Sequence, residues 1–191
     1  MTAPRYPLPS YVTPNALTLL RLILVPVIVW LLATGEKGFA FAVFVFAGLT
    51  DAADGYLAKR YGLQTDLGAY LDPLADKLLI VCIFVALGLD GSLPQWLVIA
   101  VVARDVMIVS AVVLSALLDN PVTIAPSRLS KANTAAQIVL ASTVLADQAF
   151  GLELASLRML MVWATGALTV TSLAAYVTTW LRHMSATKPP L

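Results

Sequence analysis

Asp51-Ala-Ala-Asp54-Gly55-Tyr-Leu-Ala58-Lys59-Arg60-Tyr-Gly-Leu-Gln-Thr65-Asp-Leu-Gly68-Ala-Tyr-Leu-Asp72-Pro73-Leu-Ala-Asp76 fills residues 51–76 of the chain. It joins two apolar runs, Phe39–Thr50 before it and Leu78–Leu89 after it, each of which continues as part of a longer helix-length segment. Carboxylates at the ends of such segments are costly to keep in or near a bilayer and are rarely kept there without a task. The stretch therefore reads as a helical hairpin in a membrane whose bend gathers aspartates, among them the pairs Asp51/Asp54 and Asp72/Asp76.

Working outward, the rest of the chain fits that environment. Apolar residues make up 60% and charged residues 12% of the 191, whereas a soluble domain is about half apolar and a quarter charged. The length suits one domain, residues 1–191. A net charge of +1 gives no basic face with which to neutralise a nucleic acid backbone, so no nucleic-acid partner is expected. One cysteine, Cys82, and one histidine, His183, exclude a disulfide framework and a zinc cluster within the chain. Cys82 is expected to be a small buried apolar residue.

Six apolar segments follow from hydropathy and from Gly, Pro and Asp punctuation: about 15–34, 39–60, 66–89, 94–118, 130–150 and 154–182. Each has the roughly 20 residues that cross a ~30 Å hydrocarbon core. Runs this continuously apolar are helices, since barrel strands would alternate over about ten residues. The expected fold class is all-α, a polytopic integral membrane protein with six transmembrane helices. Residues 1–14, broken by Pro4, Pro7 and Pro9, are expected to form an interfacial tail and not a secretory signal. Lys59, Arg60, Arg128 and Lys131 flank the second and fourth connections, and Arg5, Arg182 and Lys188 lie near the termini. The positive-inside rule then puts both termini and the aspartate hairpin on the cytoplasmic side.

The aspartates have helical spacing. Asp51 and Asp54 are three apart, and Asp72 and Asp76 four apart, so each pair shares a helix face. A short connection makes the two helices antiparallel neighbours, which brings the pairs to similar depth. Four adjacent carboxylates repel one another unless cations hold them. An oxygen-only donor set suits Mg²⁺ or Mn²⁺. Gly55, Gly68 and Ala58 clear space beside the carboxylates, and Lys59 and Arg60 place positive charge at the mouth. Together these describe a site for a diphosphate held by divalent metal.

The pattern Asp-x-x-Asp-Gly-x-x-Ala, then Gly-x3-Asp-x3-Asp after nine residues, resembles the signature of the CDP-alcohol phosphatidyltransferase family. At average residue frequencies its seven positions coincide by chance in fewer than about one in ten million registers. The departure is Lys59, where the family usually has arginine, so that either Lys59 or Arg60 is the residue that reaches the diphosphate. Pro14-Asn15-x-x-Thr18-x-x-Arg21 resembles the family's first-helix motif. The resemblance implies a two-ion Mg²⁺ or Mn²⁺ site on Asp51, Asp54, Asp72 and Asp76, with Asp76 as the catalytic base that deprotonates the acceptor hydroxyl. It implies nucleotide and diphosphate contacts from Asn15, Thr18, Gly55, Ala58, Lys59, Thr65 and Gly68. It also implies a CDP-diacylglycerol donor, an alcohol acceptor, release of CMP and a homodimer.

The acceptor is read from the second half. Phe46–Asp51, Asp72–Lys77, Arg104-Asp105-Val106-Met107 and Ser130-Lys131-Ala-Asn133-Thr134-Ala-Ala-Gln137 resemble the CMP-forming cardiolipin synthase branch, whose acceptor is phosphatidylglycerol. Phosphatidylglycerophosphate synthases share the signature and take glycerol 3-phosphate, but usually carry Arg-Glu at 104–105 and a second arginine where this chain has Val112. Arg21, Arg104, Asp105, Lys131 and Asn133 are the expected acceptor-binding residues. Plainer readings stand beside these. Arg104 and Asp105 also suit an ion pair that fixes helix packing, and Lys131 suits snorkelling to the interface. Trp30, Trp96, Trp163 and Trp180 suit an interfacial belt. An ion or proton transporter is the alternative of a different class, but it predicts repeats and interrupted helices that the sequence lacks.

Overall fold

The computed structural model describes residues 14–61, 66–117 and 128–185, with side-chain detail for 19–50, 77–111, 114, 115, 117 and 128–185. Residues 1–13, most of the expected interfacial tail, lie outside the described residues. The described residues form six α-helices and no strand: α1 (Pro14–Ala33), α2 (Lys37–Tyr61), α3 (Asp66–Leu89), α4 (Gln95–Leu117), α5 (Arg128–Phe150) and α6 (Ala155–Ser185). The chain divides into two compact units, Met1–Ile83 and Phe84–Leu191.

In the first unit α1 packs on α2. The two are joined by a tight reversal in which Gly35 adopts φ 82°. Its amide donates to the Leu32 carbonyl at 3.2 Å and that of Glu36 to the Leu31 carbonyl at 2.9 Å. These bonds satisfy the last carbonyls of α1, and a left-handed residue there is cheapest as glycine. The buried stripes are Val25, Ile28, Leu31 and Leu32 on α1 and Ala40, Phe44 and Ala47 on α2, spaced three and four apart as one helix face requires. Pro26 sits inside α1, so the Leu22 carbonyl lacks the usual amide partner there.

In the second unit α6 contacts both α4 and α5. Gly91, with φ 79°, ends α3 in the same way that Gly35 ends α1. The Pro94 carbonyl then accepts the amide of Leu97 at 3.0 Å and starts α4. Gly88 lets α4 come close, because a Cβ on it would lie 2.8 Å from Val98 Cγ2. Gly166 does the same on α6, where a Cβ would lie 2.7 Å from Trp96 Cη2. That indole also stacks on Trp163, with ring centroids 5.2 Å apart.

The core of this unit has two layers. At one end lie Leu97 and Val101 of α4, Leu140, Ala141, Val144 and Leu145 of α5, and Val162 of α6. One turn further along each helix the buried residues become polar: Arg104 and Asp105 on α4, Gln137 and Asn133 on α5, Thr165, Thr169 and Ser172 on α6. The switch falls at the same level in all three helices.

Among the described residues one helix, α6, is long and apolar enough to cross a membrane; shorter apolar stretches are Leu19–Ala33, Lys37–Thr50 and Lys77–Leu89. Its 31 residues extend about 46 Å at 1.5 Å per residue, and its last turn carries Arg182 and His183. Cys82, expected to be buried, is half-buried.

Candidate functional site

The aspartate positions lie on regular helix. Asp51, Asp54, Gly55, Ala58 and Lys59 fall within α2, and Gly68, Asp72 and Asp76 within α3. At 3.6 residues per turn, a separation of three or four keeps each aspartate pair within about 60° around its helix axis. Their side chains lie outside the described residues, as do those of Asn15 and Thr18 on α1, and all of Thr65. A set of four carboxylates offers only hard oxygen donors, which fits Mg²⁺ or Mn²⁺ and does not fit a thiolate- or imidazole-preferring ion. Among the described residues no group of three His, Cys, Asp or Glu side chains comes together.

The expected acceptor residues separate into three environments. Arg21, on α1 of the first unit, is buried. Lys131 is exposed in the first turn of α5. Arg104, Asp105 and Asn133 lie in the polar layer of the second unit. Lys131 and Asn133 are two residues apart and therefore about 200° apart around α5, which is why one reaches outward and the other inward.

Arg104 organises the polar layer. Its Nη1 donates to Asp105 Oδ1 at 2.5 Å. Its Nη2 donates to Ser130 Oγ at 2.6 Å and to Ser172 Oγ at 3.1 Å. Neighbouring positions on a helix do not face each other, so this ion pair depends on the arginine's long side chain bending back. One guanidinium thereby ties α4 to α5 and α6. The ion-pair reading of Arg104 and Asp105 describes this geometry, but two serines also share the cation.

A second rung lies three residues along. Thr169 Oγ1 is 2.9 Å from Asn133 Oδ1 and 2.8 Å from the Thr165 carbonyl. Ser130, Asn133 and Gln137 on α5 descend in step with Ser172, Thr169 and Thr165 on α6, the register of an antiparallel helix pair. Further along the same face of α6, Tyr176 Oη donates to the Ile108 carbonyl at 3.3 Å and Trp180 Nε1 to Ser115 Oγ at 2.8 Å. These bonds hold α4 and α6 parallel. In an apolar surrounding such interhelical bonds act as local glue, worth about 0.6 kcal/mol each on average.

Ser130, Gln137, Thr169 and Ser172 are members of this layer that single-residue reasoning on the sequence misses. The signal was present as polar residues at 130, 133 and 137 and at 165, 169 and 172, spaced three and four apart inside apolar segments. It had no meaning until the two helices were set in register.

An all-helical chain with paired aspartates on consecutive helices, and a buried polar layer elsewhere, fits a membrane enzyme of phosphate-linked lipids. Residues 11–171 match the family model described as CDP-alcohol phosphatidyltransferase, and the chain belongs to that family. Within it, the chain is 36% identical over 179 residues to the CMP-forming cardiolipin synthase of Homo sapiens, covering 85% of this chain and 59% of that protein. It is 32% identical over 181 residues to a CMP-forming cardiolipin synthase/mitochondrial hydrolase fusion protein of Schizosaccharomyces pombe, covering 87% and 30% respectively. It is also 41% identical over 97 residues to a probable phosphatidylglycerophosphate synthase of Mycobacterium tuberculosis, covering 48% and 46%. The chain thus spans less than two thirds of the length of each of these relatives.

Proposed function

We propose that this chain is a CMP-forming cardiolipin synthase that transfers a phosphatidyl group from CDP-diacylglycerol to phosphatidylglycerol and releases CMP. The observation that carries the reading is the extent of similarity. The eukaryotic proteins named as CMP-forming cardiolipin synthases align over 85% and 87% of the chain, whereas mycobacterial relatives, one named probable phosphatidylglycerophosphate synthase and one putative cardiolipin synthase, align over 48% and 50%. The neutralised Arg104 is consistent with it, because an acceptor of single charge needs fewer free cations than a phosphate monoester.

In this reading all six helices span a membrane as one domain, with the aspartates opening to the cytoplasmic side, and the enzyme is a homodimer. Asp51, Asp54, Asp72 and Asp76 hold two Mg²⁺ or Mn²⁺ ions, which when bound neutralise charge on the diphosphate. Asn15, Thr18, Gly55, Ala58, Lys59, Thr65 and Gly68 contact the nucleotide diphosphate. Asp76 takes the proton from the acceptor hydroxyl. That oxygen bonds to the lipid-side phosphorus as the phosphorus–oxygen bond to CMP breaks, and CMP leaves with the electron pair. Arg21, Arg104, Asp105, Lys131 and Asn133 bind the acceptor.

The mycobacterial relative favours a second reading, transfer to glycerol 3-phosphate. An assay of the purified protein with CDP-diacylglycerol and either phosphatidylglycerol or glycerol 3-phosphate separates the two. Cardiolipin as the product is expected; phosphatidylglycerophosphate as the main product reverses the assignment.

A further inference from the structure

We infer that Asn133 and Gln137 form a subsite for an uncharged, hydroxyl-bearing head group, reading the glycerol hydroxyls of the acceptor lipid and not its phosphate. The inference rests on the proposed function for the identity of that lipid and extends it to residues and a chemistry of recognition.

Both amides are buried, with 0% exposure for Asn133 and 1% for Gln137. Among the described residues Asn133 Nδ2 and Gln137 Nε2 have no hydrogen-bond partner, nor does Nε of Arg104 beside them in the layer. Turning the Asn133 amide does not remove the deficit. The Thr169 hydroxyl has one proton and two nearby acceptors, Asn133 Oδ1 and the Thr165 carbonyl. If the proton goes to the carbonyl, the amide turns to donate to Thr169 and its oxygen is left over instead. One end of this amide is unpartnered in either orientation.

Magnitudes separate a binding role from plain helix glue. An interhelical bond of the Asn133–Thr169 kind contributes only modestly to stability. A buried amide end with no partner costs more than such a bond contributes. Two such amides, one turn apart on α5, more than offset the bonds they make, so a ligand that supplies the missing partners accounts for their burial better than packing does.

Charge identifies the ligand. Arg104 is balanced by Asp105, and the other members of the layer are amides and hydroxyls. Lys131, the expected acceptor-binding cation on α5, is exposed and on a different face of that helix from Asn133. Among the described residues the layer is therefore close to neutral and has no cation in excess for a phosphate dianion. A neutral polyol suits it, because each hydroxyl both donates and accepts and so satisfies an amide in either orientation.

The test uses the full purified chain and two short-chain lipids of equal charge, dihexanoyl phosphatidylglycerol and dihexanoyl phosphatidylmethanol, which lacks the hydroxyls. Wild-type protein is expected to bind the first at least tenfold more tightly. Gln137→Met and Asn133→Leu, made separately as near-isosteric replacements, are expected to reduce that preference to less than threefold. Affinity for phosphatidylmethanol and KM for CDP-diacylglycerol should stay unchanged. A preference that persists in both variants overturns the inference. So does equal binding of the two lipids by wild type, a measurement that needs no variant to fold. The proposed function fails separately: if glycerol 3-phosphate is the acceptor in turnover, that reading falls, while loss of hydroxyl discrimination in the variants still supports the subsite.

Discussion

Arg104 Nη1 donates to Asp105 Oδ1 at 2.5 Å, so a fully buried cation is neutralised by the residue next to it in sequence. Ser130 and Ser172 then take the other guanidinium nitrogen and link the pair to two more helices. The charge balance and the helix packing of the second unit thus depend on the same side chain.

Asp105→Asn leaves that cation uncompensated in the buried layer. Removing one partner of a buried ion pair costs about 3–5 kcal/mol, and a loss of that size is expected in detergent-solubilised protein by denaturant titration. Replacing both residues by apolar ones, Arg104→Met with Asp105→Leu, should destabilise less than Asp105→Asn alone. If the single variant is as stable as wild type, the pair is not the organising contact.

Asp76→Asn keeps shape and hydrogen-bonding capacity but cannot accept the proton from an acceptor hydroxyl. General-base removal lowers rates by about 10²–10⁴-fold, so CMP release should fall at least a hundredfold while CDP-diacylglycerol binding is partly kept. Normal turnover by this variant assigns the base elsewhere.

Chelation with EDTA should abolish transfer, and Mg²⁺ or Mn²⁺ should restore it, because carboxylate oxygens favour these hard ions. Full activity without divalent ions is incompatible with a four-aspartate metal site.

Gly166→Ala sets a methyl group where the Trp96 ring lies at 2.7 Å. The indole must shift against Trp163, at an overpacking cost of about 1–3 kcal/mol. Tryptophan fluorescence and the thermal midpoint should both change. An unchanged spectrum and midpoint mean that this contact does not constrain α4 and α6.

The helices were legible because length and apolarity set them. The expected segment 66–89 and α3 coincide, and 130–150 differs from α5 (Arg128–Phe150) by one turn or less. The aspartate signature was legible because its spacing is local: three or four residues on one helix share a face whatever the rest of the chain does. Asn133 and Lys131 lie in one polar stretch of the sequence, yet helix geometry sends one inward and the other outward. The role of Gln137 is not legible in the sequence, since its burial depends on α6, which begins 18 residues later.

By itself the sequence determined the all-helical class, the oxygen-donor chemistry of residues 51–76 and the family to which they point. Those properties follow from composition and from spacing within single helices. Only the tertiary structure decided that Arg104 meets Ser130 and Ser172, that Asn133 faces Thr169, and that the core of the second unit changes from apolar to polar at one level. Such pairings join residues as many as 68 positions apart, and they depend on helix register, which no local pattern in the chain specifies.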